Sequence, residues 1–249
     1  MTTIVVNNQK GGVGKTTLAC HLVWHLADEG KRVALIDLDI QGNATDTFSE
    51  ARKGGMARQL FDGDPIQLPE DLSGVTLFEA DRSLSEINDE LVYEMIERFD
   101  ALKPRFDYIV FDTPPGWGWA TFAAFAVTDS LVAPTDLKHY ALQGIRQLQS
   151  NIAGVNQSGV RTADIRFLGL LVSRFNSNKP REREALQQLI AEVGAIVFDG
   201  HITERTSYSD SSTVKEPVWR LPGTAARAAS NEIRTVLDRI KTLSERAAA

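Results

Sequence analysis

Lys10-Gly11-Gly12-Val13-Gly14-Lys15-Thr16-Thr17 is the stretch that decides the fold of this chain. An apolar run, Thr3-Ile4-Val5-Val6, precedes it, and an amphipathic segment from Leu18 to Ala27 follows. Strand, glycine-rich turn and helix in that order form a phosphate-binding loop. Glycines let backbone N–H groups converge on phosphate oxygens with no Cβ in the way. The start of the following helix adds unpaired N–H groups and the positive end of its dipole. Gly11, Gly12, Val13, Gly14, Lys15, Thr16 and Thr17 then cradle phosphate. Lys15 reaches the β- and γ-phosphates and the Thr16 hydroxyl ligates Mg²⁺. The general motif carries a glycine where this chain has Gln9. What it has instead is a second lysine, Lys10.

Working outward, the same grammar repeats. Arg32-Val33-Ala34-Leu35-Ile36 is an apolar run closed by Asp37-Leu38-Asp39, and Asp107-Tyr108-Ile109-Val110-Phe111 is one closed by Asp112. Further strands are expected at Val75–Phe78, Ser130–Pro134 and Phe167–Val172. Helices are expected over Leu84–Leu102, Ala141–Val155, Arg183–Val193 and Ala225–Arg246, from apolar residues at the helical period. Buried strands alternating with helices predict an α/β fold, a single nucleotide-binding domain over residues 1–249 with a mostly parallel sheet covered on both faces. In such sheets ligands sit beyond the carboxyl ends of the strands, which places Asp37, Asp39 and Asp112 around one nucleotide. A strand-end Asp alone reads equally well as a helix cap. Beside the phosphate loop, Asp112 reads as the acid that orients Mg²⁺, Asp39 as metal-linked and positioning the attacking water, and Asp37 as support.

Composition narrows the alternatives. Hydrophobic residues make up 43% and charged residues 24%, as in ordinary globular proteins. A net charge of −6 gives no global attraction to DNA or acidic membranes, so such binding needs a local patch. One cysteine, Cys20, excludes an internal disulfide and a cysteine zinc cluster, and reads as a small core residue. No signal peptide and no run of about 18 apolar residues is evident, so a cytoplasmic location is expected.

Lys10 to Thr17 resembles the deviant Walker A motif of the ParA/MinD family of ATPases. Asp37-Leu38-Asp39-Ile40-Gln41-Gly42-Asn43-Ala44-Thr45 is similar to that family's DxDPQGNAT segment, with Ile40 in place of proline. Phe111-Asp112-Thr113-Pro114-Pro115 resembles its Walker B. Asp129-Ser130 to Pro134, Tyr140-Ala141-Leu142-Gln143-Gly144 and the stretch from Ile202 to Val218 resemble the ParA (Soj-like) partition branch. The departures are Ile40, Gly116-Trp117 and Glu204, the last standing where proline is usual.

The resemblance implies ATP and Mg²⁺ as ligands, with Phe175-Asn176 and Thr203–Arg205 closing over adenine. It implies a homodimer of ATP-bound subunits in which Lys10 of each reaches the other's phosphates, as an arginine finger does. It also implies a ParB-like or other cargo adaptor that stimulates an otherwise slow hydrolysis. Trp117 and Trp119 read as core residues or as part of the dimer face.

Such a switch has two candidate outputs. One is non-specific DNA, with the protein on the nucleoid moving a plasmid, chromosome or protein complex. The other is a membrane, as in MinD, or metal delivery or reductase-like work. The tail Leu243-Ser244-Glu245-Arg246-Ala247-Ala248-Ala249 offers no amphipathic anchor, so no membrane partner is expected. Cys20, in the helix after the loop, is no interface cluster ligand. From His201 onward eight Lys/Arg face six Asp/Glu, against 19 and 27 over residues 1–200, so positive charge collects late. Lys179, Arg181, Arg183 and Arg227 resemble the family's DNA-contacting positions, with Arg220 and Arg234 as companions. Phosphate contacts of that kind are sequence-independent and salt-sensitive. Only nine residues precede Lys10, which leaves no room there for a helix-turn-helix and fits the short ParA type.

Overall fold

The structure, a computed structural model, describes residues 1–62, 66–137 and 141–245. Its strands are β1 (Thr2–Val6), β2 (Val33–Asp37), β3 (Arg52–Met56), β4 (Val75–Glu79), β5 (Tyr108–Asp112), β6 (Ser130–Thr135), β7 (Arg166–Phe175) and β8 (Val197–Thr203). They form one sheet in the order β3-β4-β2-β5-β1-β6-β7-β8, every pairing parallel. Parallel neighbours need a crossover, and helices supply most of them. The helices are α1 (Lys15–Asp28), α2 (Asn43–Thr47), α3 (Asp89–Leu102), α4 (Trp119–Val127), α5 (Ala141–Gln157), α6 (Pro180–Val193), α7 (Thr206–Val214) and α8 (Thr224–Glu245).

Strand side chains alternate between two cores. Ala34 and Ile36 of β2 and Ile109 and Phe111 of β5 pack with Met95 and Phe99 of α3, the alanines of α4 and Leu189 of α6. Val33, Leu35, Tyr108 and Val110, their immediate neighbours, face the other way onto α1 and onto Ile233, Leu237 and Ile240 of α8. Both faces are therefore apolar, which is why these strands read as continuous runs. Cys20 is buried in the α1 layer.

The helix expected from Leu84 is split. Arg82–Glu86 forms a short 3-10 turn capped by Asp81, and α3 starts only after Asn88, whose side chain accepts a hydrogen bond from the Leu91 amide. Such a cap is worth about 1 kcal/mol, enough to fix the start there. Five of these elements lie outside the sequence expectation: α2, β3, α4, α7 and β8. Trp117 and Trp119, expected in the core or at a dimer face, are 42% and 46% exposed, so they are not core. Tyr140 and the tail residues 246–249, used above in the family and membrane comparisons, lie outside the described residues.

Candidate nucleotide site

Three central strands end at one place. β1 lies between β5 and β6, so the loop after Val6 opens at the middle of the sheet. Gly12 and Gly14 hold φ values of 74° and 88°, a region where a Cβ is strained, and Gly14 leads directly into α1. The loop rims a cleft of about 730 Å³ that also carries Thr16, Thr17, Asp39, Arg174, Thr203 and Arg205. The Lys15 side chain is buried, and its Nζ donates to the Lys10 carbonyl at 3.1 Å. Burial holds its pKa below the usual lysine value, against the pull of Asp112 and Asp39. Ser173 of β7 donates to the Val13 carbonyl at 2.6 Å, fixing the loop from the other side.

The acids are arranged by strand register. Asp37 and Asp112 are directly paired residues of β2 and β5, and both are fully buried. Asp37 is occupied: its carboxylate accepts from the Thr45 amide and hydroxyl, each at 2.8 Å, and from the Asp39 amide at 3.1 Å. It thereby fixes the loop that carries Asp39. Asp39 accepts from the Gln41 amide at 3.0 Å and lines the cleft.

Asp112 differs, because neither of its carboxylate oxygens has a hydrogen-bond partner among the described residues. Burial, then the neighbouring charge of Asp37, pushes the Asp112 carboxyl up to about 8. The Thr16 hydroxyl and Lys15 stand close enough to oppose this without closing a hydrogen bond. Burial likewise lifts Asp37, to about 6, against its Thr45 hydrogen bonds. A buried carboxylate without donors is a cost that a cation removes. Thr16, Asp39 and Asp112 supply the hard oxygen donors that suit Mg²⁺.

The wall opposite the loop is made by the ends of β7 and β8. Of the residues expected near adenine, Thr203 and Arg205 line the cleft. Phe175 is buried edge-on against His201, and Asn176 has its amide held by Glu182 at 2.6 Å. Sequence reasoning did not place Arg174 at the nucleotide, and its φ of 55° is rare for a side chain with a Cβ. Its guanidinium donates to the Gly12 carbonyl at 2.9 Å and to Glu204 at 3.1 Å, joining the two walls. Tyr208, Ser209 and Ser212 of α7 also line the cleft. No local signal marks any of these. The three departures from the family pattern are at the surface: Ile40 and Trp117 are exposed, and Glu204 is ion-paired.

The basic candidates fall into two groups. Lys179, Arg181 and Arg183 sit at the start of α6, whose buried Leu189 joins one core. Arg227 and Arg234 lie on α8, which covers the opposite face of the sheet. Lys179 pairs with Glu182 at 3.2 Å and Glu204 at 3.5 Å, and Arg183 donates to the Ser177 carbonyl. Arg220 pairs with Asp28 and Glu216, and the Arg234 guanidinium stacks 4.6 Å from the centre of Trp219. Arg181 and Arg227 are exposed and have no ion pair among the described residues. No helix among these residues is long and apolar enough to cross a membrane.

The chain is similar in sequence and fold to known proteins. Residues 1–165 match the AAA domain family. The chain is 32% identical over 254 residues to Protein IncC of Escherichia coli, spanning 98% of this chain and 70% of that one. It is 34% identical over 197 residues to the chromosome-partitioning ATPase Soj of Thermus thermophilus, spanning 78% of each. The fold also matches an ATP complex of a McdA variant from Cyanothece, with a TM-score of 0.81, 19% identity, and coverage of 97% and 96% of the two chains. Phosphate loop, paired strand-end acids and homology together show that the chain belongs to the ParA/MinD family of P-loop ATPases, in its ParA/Soj branch.

Proposed function

We propose that this chain is an ATP-dependent dimerising switch that binds DNA non-specifically as the ATP dimer and positions a cargo over the nucleoid. The observation that carries this is the different setting of the two loop lysines. Lys15 is buried in the cradle, while Lys10, five residues earlier, is about half exposed with its head group outside the loop. One lysine serves the phosphates of its own subunit, and the other, outside the cradle, serves those of a second.

Within a subunit, Lys15 and the loop amides hold the β- and γ-phosphates of ATP. Thr16 and Asp112 would hold Mg²⁺, which would supply charge neutralisation to the polyphosphate. Asp39, its loop fixed by Asp37, orients the attacking water. Lys10 of the second subunit neutralises charge developing on the transferred phosphoryl group, an effect worth roughly 10³–10⁵ in rate when an arginine does it. Dimerisation thereby reports ATP. Lys179, Arg181, Arg183, Arg220, Arg227 and Arg234 supply the cations for DNA phosphates. Names such as chromosome-partitioning ATPase among its relatives support the cargo-positioning part. A ParB-like or other adaptor completes the cycle by stimulating hydrolysis in the cytoplasm.

The test is sizing and DNA retention of wild type, Lys10→Ala and Asp39→Ala with and without Mg²⁺-ATP. Wild type should dimerise and hold DNA with ATP alone, and lose it between low and moderate salt. Lys10→Ala should stay monomeric, and Asp39→Ala should persist as an ATP-loaded dimer that does not turn over. An ATP dimer of Lys10→Ala, or DNA retention indifferent to salt, overturns the proposal.

A further inference from the structure

Lys10 is not unpartnered at the cleft mouth. Its Nζ donates to both carboxylate oxygens of Asp136, at 2.8 and 2.9 Å. Asp136 directly follows β6, the strand beside β1, so the sheet order brings this acid to the start of the phosphate loop. The backbone on both sides is tied together. The Asn8 side chain donates to the Pro134 carbonyl at 2.8 Å and accepts from the Lys10 amide at 2.9 Å. Asp136 is the more fixed partner, with a side chain 12% exposed against 48% for Lys10.

Resting on the proposal that Lys10 serves the phosphates of a second subunit, we propose that Asp136 is a positioning residue. It holds Lys10 over its own subunit and so sets the threshold at which ATP drives dimerisation. Lys10 cannot keep both Asp136 oxygens and also reach across an interface. Asp136 therefore acts on the monomer side of the equilibrium, opposing dimerisation until a second nucleotide-loaded subunit offers Lys10 a polyphosphate. Phosphate oxygens carry more charge than one carboxylate, so the exchange runs forward only when ATP is present on the partner.

The size of the effect follows from symmetry. An exposed ion pair shifts an equilibrium by roughly 1.4- to 5-fold. A two-fold dimer breaks two of them, so neutralising Asp136 should lower the dimer dissociation constant by roughly 2- to 30-fold.

The experiment measures that constant by mass, using Mg²⁺ and a non-hydrolysable ATP analogue, for wild type, Asp136→Asn, Asp136→Ser, Asp136→Glu and Lys10→Ala. Analogue affinity is measured alongside at protein concentrations too low for dimers. Both neutral variants should dimerise more tightly, Asp136→Glu should return to the wild-type constant, and monomer affinity for the analogue should not change. A constant that does not fall in either neutral variant overturns the role of Asp136. So does tighter analogue binding by the monomer without tighter dimerisation, because Lys10 would then be turning to its own phosphates. A Lys10→Ala protein that dimerises like wild type overturns the underlying assignment of Lys10 instead, whatever Asp136 does.

Discussion

The two ends of the nucleotide cleft are built from charge in opposite ways. At the inner end Lys15, Asp37 and Asp112 are buried at strand ends and the loop, and Asp112 has no donor among the described residues. At the outer end Arg174, Lys179 and Glu204 are exposed and answer one another within 3.5 Å. Removing a charge from water without a partner costs on the order of several kcal/mol, whereas an exposed pair is worth roughly 0–1 kcal/mol. The inner end therefore holds a standing cost that a cation removes, and the outer end holds pairs that exchange partners cheaply. Ligand selectivity belongs to the first and adjustable surface binding to the second.

The sharpest break of this contrast is Asp112→Asn. It should weaken Mg²⁺-dependent nucleotide binding by roughly 10- to 100-fold, the usual loss when a group orienting a metal's shell is removed. It should also raise the melting temperature of the nucleotide-free protein near neutral pH, because an amide, unlike the Asp112 carboxyl, needs no proton taken up on folding to be buried uncharged. Titration with a fluorescent ATP analogue, with and without Mg²⁺, and thermal melts check both parts. If the nucleotide-free variant melts lower than wild type, Asp112 is a satisfied structural acid and the inner end carries no such cost.

The matching change at the outer end is Glu204→Gln, and its effect should be smaller and of the opposite sign for DNA. Glu204 takes up charge from both Arg174 and Lys179, and these neighbours hold its carboxyl below the usual range. Freeing Lys179 for a phosphate should tighten ATP-dependent DNA retention by roughly 2- to 5-fold. The salt dependence should steepen by about one phosphate contact. Retention measured over a salt series, with Lys179→Gln as the reverse change, decides it. An unchanged slope would remove Lys179 from the DNA surface.

The same contrast governs what was legible in the sequence. The inner end is written locally: an apolar run that ends in a carboxylate or a glycine-rich loop marks β1, β2 and β5 with their acids, because strands buried on both faces have no polar position to spare. The outer end depends on long-range pairings. Lys10 and Asp136 are 126 positions apart, and Arg174 and Gly12 are 162. Nothing near Arg174 announces its left-handed backbone. β3, Arg52-Lys53-Gly54-Gly55-Met56, has no strand pattern because it is an edge. Gly54 is there to let the backbone pass the Phe78 ring, which a Cβ would meet at 2.8 Å. α7 carries mainly Ser and Thr, with only Ser207, Tyr208 and Ser211 buried. The split of the basic residues between α6 and α8 depends on which face each helix covers, which composition does not encode.

His21 is buried on α1 and does not line the cleft, and it should affect nucleotide binding least while exposing how α1 is fastened. Its Nδ1 is 2.7 Å from the Thr17 carbonyl and its Nε2 is 3.3 Å from the Val218 amide. A carbonyl only accepts and an amide only donates, so Nδ1 carries the proton and Nε2 is bare. A second proton would face an N–H inside a ring of Trp24, Tyr208 and Trp219. Burial accordingly pushes the His21 pKa down to about 4, against the Thr17 carbonyl, which favours the charged ring. Since the unfolded chain takes this proton near pH 6.5 and the folded chain near 4, stability from this group is whole above pH 6.5. It is lost progressively as the pH falls towards 4. The melting temperature should drop by roughly 2–4 °C per kcal/mol lost, with phosphate affinity at neutral pH untouched. An imidazole resonance that titrates near pH 6.5 in the folded protein would show that His21 is solvated. The fastening of α1 to the segment after α7 would then not rest on a neutral ring.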